Sequence, residues 1–230
     1  MGTRAVEEFR QAGGAFAALV AQVAPSGWDL PGLGVWSVRD LVGHTTRALL
    51  SVEEGLAGPE PSVEEVASTT MYFALAASAD HDAIAERGRE AGSALGETPS
   101  SAVAIIRART LMALQRAVEA GEDRLVATRF GGMRLSAYLP TRTFELVVHT
   151  LDLGSALGVD ADMPGAPLGA AAHLAMDLAL SSGRGPGVVL ALTGRAPRPA
   201  GPAGPAGPAG PAGPAGPAAP AGPAGPASAV

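Results

Sequence analysis

From Gly201 to Ala227 the chain is a run of Gly-Pro-Ala triplets, eight of them, with one Ala-Pro-Ala at Ala219. This run limits what the rest can be. A segment with no charge and no side chain larger than the closing Val230 has almost no apolar surface to bury, so it cannot join a core. Whatever folds must do so in the preceding residues, about 200 of them, enough for one domain or one domain with a small appendage. Gly at every third position is also what a collagen triple helix requires. The run is short, interrupted and without charged pairs to set a register, so the expectation is a solvated, polyproline-II-like, disordered tail.

The body carries helical periodicity almost throughout. Phe9, Phe16, Leu19, Val20 and Val23 recur at helical spacing and predict a first helix over about 3–23, weakened at Gly13 and Gly14 and ended by Pro25. Residues 28–34 (WDLPGLG) read as a loop. Ser37 with Asp40 is a capping-box-like start for a second helix that runs through His44 to Gly58-Pro59. Ser62 with Glu65 repeats the pattern and predicts a third, interrupted helix. Pro99 opens a fourth that ends by Gly121.

The period then changes to alternation. Val126, Thr128 and Phe130, followed by Gly131-Gly132, Met133 and Leu135, predict a short hairpin turning at the glycines. Thr141 is the expected cap of a fifth helix to Leu157, and an Ala-rich sixth spans about 168–181. Residues 188–192 read as a last short strand. The count favours a mostly α helical bundle with minor β decoration.

Absences narrow the chemistry. There is no Cys, hence no disulfide and no protein thiol nucleophile. There is no Lys either, which removes Schiff-base catalysis on a lysine amine. Net charge is −6 with the arginines scattered, so nucleic acid is not an expected partner. No apolar run approaches the roughly 20 residues of a membrane span, and Glu7 and Glu8 stand where a signal peptide would be basic and apolar. The expected setting is cytoplasmic. No G-x-S-x-G elbow or phosphate-binding loop is present.

Four histidines remain to be placed. His149 follows Glu145 by four residues, which puts both on one helix face a turn apart, a spacing from which one helix can offer two ligands to a metal. His44, on the second helix, is the natural third donor, and three protein ligands leave a coordination position free. Spacing alone does not separate this from a surface ion pair and a satisfied core histidine. Asp152, three residues after His149, could orient its imidazole or pair with an arginine. Arg142, one turn before Glu145, could hold an anionic substrate or neutralise Glu145. His81 sits in a charged run and reads as solvated, whereas His173 reads as packing.

Three stretches carry a resemblance. Residues 36–50 (WSVRDLVGHTTRALL) and 138–158 (YLPTRTFELVVHTLDLGSALG) resemble the two signatures of the mycothiol-dependent maleylpyruvate isomerase family, within the DinB-like metal-binding bundles. Residues 190–195 (LALTGR) resemble its closing motif, so that the likeness covers about residues 5–196. The resemblance implies a DinB-like four-helix bundle over 1–160, with a small C-terminal α/β segment over 161–199 and the tail from 200 to 230. It implies zinc, or another divalent metal, on His44, Glu145 and His149. It further implies a thiol cofactor, mycothiol, acting on a small electrophile. As an isomerase, the thiolate would add to a conjugated double bond, allow rotation and leave; as a transferase it would stay attached. A non-catalytic metal-binding module, for sensing or partner binding, would use the same three ligands. Beyond the closing Gly-Arg the family continues with an apolar stretch, whereas here the repeat follows directly.

Overall fold

A computed structural model describes residues 4–78 and 81–195. Four helices form a closed ring: α1 (Arg4–Val20) packs on α5 (Pro99–Ala120), α5 on α2 (Val38–Ala57), α2 on α6 (Leu135–Leu157), and α6 on α1. Phe9, Phe16, Leu41, Leu49, Ile106, Leu139 and Leu146 meet inside the ring, each fully buried, so the apolar stripes read from the sequence do face one core. Around it lie α3 (Thr69–Ala76), α4 (His81–Ala94), α7 (Gly165–Ser181) and α8 (Gly185–Leu192). Two antiparallel ladders complete the described part: β1 (Pro31–Leu33) with β2 (Trp36–Ser37), and β3 (Leu125–Thr128) with β4 (Gly131–Arg134). The mostly α, four-helix reading is therefore correct. No described helix is long and apolar enough to cross a membrane. The Gly-Pro-Ala tail, expected to be disordered, lies outside the described residues.

The start of α2 follows the sequence. The Asp40 amide donates to Ser37 Oγ at 3.2 Å and the Ser37 amide donates to Asp40 Oδ2 at 3.1 Å, a complete capping box. At α5 the same task falls to Thr98, whose hydroxyl accepts the Ser101 amide ahead of Pro99 at the first turn.

Elsewhere tertiary contacts override local signals. Ser62 caps nothing: the amides of Glu65 and Val66 both donate to the Gly132 carbonyl, and the Glu65 carboxylate accepts the Gly132 amide. The third helix starts instead at the Ser68 cap. That pairing also explains the hairpin, which turns at Arg129–Phe130 rather than at the glycines. Gly131, at φ +111°, and Gly132 leave room for the 62–66 segment, since a Cβ on either would strike Glu65 or the Val63 carbonyl.

The fifth predicted helix, α6, begins six residues before Thr141. Its first amides, Leu135 and Ser136, donate to the carbonyls of Arg124 and Glu122, so no side-chain cap is needed. Pro140 falls inside the second turn, and the Thr141 hydroxyl bonds back to Tyr138 O. The helix ends as expected, with Gly158 left-handed at φ +67°. Residues 188–192, read as a strand, belong to α8, so the described C-terminal segment is helical. Pro186 at its first turn suits a helix start, the Val188 and Thr193 amides donate to the Arg184 and Val189 carbonyls at its two ends, and neither described ladder includes a strand that could pair with it.

One contact bears directly on the site. At Gly43, α2 meets α4 backbone to backbone, where a Cβ would collide with the Gly92 amide. Glycine at both positions lets the two helices approach more closely than any side chain would permit.

A candidate metal centre between two bundle helices

His44 stands two turns into α2, and Glu145 and His149 lie one turn apart on α6. Because these helices pack together, one ligand atom from each of the three residues falls within 4.8 Å of the others. The structure thus brings together the three residues singled out from the sequence. The His149 ring is used on both sides: Nδ1 is 3.0 Å from Asp152 Oδ2, and Nε2 is 3.3 Å from Glu145 Oε2. Asp152 therefore sits where a ligand-orienting carboxylate belongs, not in an ion pair with arginine. The His44 and His149 rings meet edge to face at 4.9 Å, and the Trp36 indole lies over His44 at 4.4 Å.

Without a cation the three groups take unlike charges. Burial works to neutralise His149, but its hydrogen bonds to Asp152 and Glu145 outweigh this and raise its pKa to about 9. Burial, reinforced by the neighbouring His149 charge, lowers His44 to about 4. Burial would raise Glu145, yet the His149 hydrogen bond and the Arg142 charge hold it below the usual carboxylate range. The metal-free site at neutral pH is thus an imidazolium–carboxylate pair beside a neutral imidazole.

A divalent cation fits this arrangement. His44 Nδ1 is buried with no hydrogen-bond partner among the described residues, and a buried lone pair or N–H left alone is costly. Two imidazoles and one carboxylate are a donor set suited to zinc, and three protein donors leave a position for another ligand.

The site forms part of the wall of a cavity of about 430 Å³. Arg47 from α2, Arg87 from α4, Arg129 from the hairpin turn and Arg142 from α6 line it, with Glu54 and Glu145 as its acids. None of the four arginines is in an ion pair with a described carboxylate. Arg142 does not bridge to Glu145; its Nε donates to Thr141 Oγ1 at 2.8 Å, and its guanidinium lies over the rings of Tyr72 and Tyr138.

Sequence reasoning found Arg142 but missed Arg47, Arg87 and Arg129. Arg47, three residues after His44, was within reach of the helical-spacing argument. The other two arrive through tertiary packing alone. His173, read as packing, is exposed on α7, and the His81 side chain lies outside the described residues.

Residues 9–154, more than half of the chain, match the family described as the mycothiol maleylpyruvate isomerase N-terminal domain. No curated protein and no solved structure matches the chain. The matched span contains α2 and α5, most of α1 and α6, and all three candidate ligands, and it stops before α7.

Proposed function

The chain belongs to the mycothiol maleylpyruvate isomerase N-terminal domain family, and from that premise we propose that it is a zinc-dependent, mycothiol-dependent isomerase or transferase acting on a small anionic electrophile. One observation carries the reading beyond the family: His44 and Glu145, two of the three candidate ligands, line a cavity with four arginines that pair with no carboxylate among the described residues. A module that only stored or sensed a metal would need the ligands but not that cavity.

His44, Glu145 and His149 would hold the metal, which when bound would supply the charge that lowers a thiol's pKa toward neutral. The chain has no Cys, so this thiol belongs to a second molecule, and the family description names mycothiol. The residues of the chain do the rest. Asp152 holds the proton on His149 Nδ1 and leaves Nε2 free to face the cation. Arg142, flattened against two tyrosines, and its three neighbours attract a carboxylate on the electrophile and fix its direction of approach.

Mycothiol titrated into the zinc-loaded and metal-free chain tests this. Binding only to the loaded form, with thiol-dependent turnover of an activated, carboxylate-bearing alkene, supports the enzyme. Zinc bound without affinity for the thiol would leave a metal-binding module.

A further inference from the structure

The two histidines of the site are held in different ways. Asp152 fixes the His149 ring by a hydrogen bond at 3.0 Å. No hydrogen bond from a described residue orients the His44 ring in this way, whichever nitrogen faces the cation, and its buried Nδ1 has no partner among them. An imidazole on a single χ1/χ2 pair can turn about its Cβ–Cγ bond unless packing prevents it. Two described rings pack against it: His149 at its edge, 4.9 Å away, and Trp36 across its face, 4.4 Å away with 31° between the planes.

Trp36 is itself tied down at every point. It pairs with Leu33 in the β1–β2 ladder and directly precedes the Ser37 cap, so its backbone is set by the start of α2. Its indole Nε1 donates to the Ala85 carbonyl of α4 at 3.0 Å. The indole lies so close to α4 that a Cβ on Gly88 would come within 2.6 Å of Trp36 Nε1 and Cε2. Indole carbons cannot yield to a methyl group at that distance without the whole ring moving.

We infer that Trp36 is a positioning residue for the His44 imidazole, and that Gly88 is the notch in α4 that lets the indole lie over it. The seating of α4 on α2 thereby sets, through Trp36, the direction of a ligand that α2 carries. The geometric part stands on the packing alone; its consequence for zinc rests on the metal reading above.

The test uses the full chain with Trp36→Ala, Trp36→Phe, Gly88→Ala and the Trp36→Ala/Gly88→Ala double variant. Zinc affinity is read by chelator competition, and helical content by circular dichroism. Trp36→Ala and Gly88→Ala should each weaken zinc roughly tenfold with the helices intact, the scale of a lost orienting partner. Trp36→Phe, which keeps a ring in place, should recover most of the loss. Adding Gly88→Ala to Trp36→Ala should cost nothing further, since the indole it displaces is gone. In the metal-free chain the His44 imidazole protons should resonate upfield under the indole ring current, and Trp36→Ala should abolish that shift.

Undiminished affinity in Trp36→Ala overturns the proposal, as does a Gly88→Ala penalty equal in both backgrounds. If Gly88→Ala does not fold, the two Trp36 variants still decide between the outcomes. If the wild-type chain takes up no zinc, the functional reading fails, and the imidazole shift alone decides this one: its presence supports the stacking and its absence contradicts it.

Discussion

Asp152 Oδ2 lies 3.0 Å from His149 Nδ1, while Nε2 of the same ring faces Glu145 at 3.3 Å. One carboxylate thus takes the nitrogen that points away from the site and leaves the other nitrogen for a cation. Replacing Asp152 with Asn keeps the volume but frees the tautomer. Zinc affinity should fall by about 10- to 100-fold with the helices retained, and the metal-free chain should melt somewhat lower at neutral pH because the charged His149 loses a partner. Chelator competition measures this, and an unchanged affinity would mean that Asp152 is only a surface partner of His149.

The same ring gives a pH dependence with a definite sign. In the metal-free chain His149 titrates near 9, so at pH 7.5 it carries a proton that a bound metal must displace. Zinc uptake at that pH should release about one proton from His149, and affinity should rise about tenfold per pH unit before levelling above the pKa. Calorimetry in buffers of different ionisation enthalpy reads the proton count. The linked stability runs the other way. A pKa raised above the unfolded 6.5 stabilises the metal-free fold fully below that value, and this contribution fades as pH climbs through about 9.

The cavity arginines should act on the electrophile and not on the metal. Arg142→Ala and Arg87→Ala should each raise KM for an anionic substrate by roughly tenfold, about 1.4 kcal/mol, with zinc stoichiometry unchanged. An uncharged electrophile of the same size should be indifferent to both. Equal effects on charged and neutral substrates would remove the anion-binding role.

Two glycines separate packing from propensity. A Cβ at Gly43 would meet the Gly92 backbone, which cannot move aside without shifting α4, so Gly43→Ala should cost about 1–3 kcal/mol. A Cβ at Gly14, in α1, meets nothing within 4 Å, so Gly14→Ala should stabilise by roughly 0.5–1 kcal/mol through helix propensity. Thermal melts of the two variants should move in opposite directions.

The sequence was most legible where the determining contacts are local. The Ser37 capping box, the Gly158 stop and the i,i+4 relation of Glu145 to His149 all lie within one or two turns, and each appears as read. Ser62 and Thr141 carried similar signals, but Gly132 takes the amides at 65 and 66, and Arg124 and Glu122 start α6 early. Such competition between a local cap and a distant carbonyl cannot be weighed from one chain of letters. The candidate site divides the same way. Its ligands could be proposed from spacing and resemblance, while the Trp36 stack and the arginines from α4 and the hairpin exist only once the elements are packed.

If His44, Glu145 and His149 together hold one divalent metal, elemental analysis of the purified chain beside His149→Ala will show it. The wild-type chain should carry about one zinc and the variant none, with both equally helical by circular dichroism. Metal-free wild type after exposure to zinc, or equal zinc in both proteins, would contradict it and leave the three residues as an imidazolium–carboxylate pair beside a packed histidine.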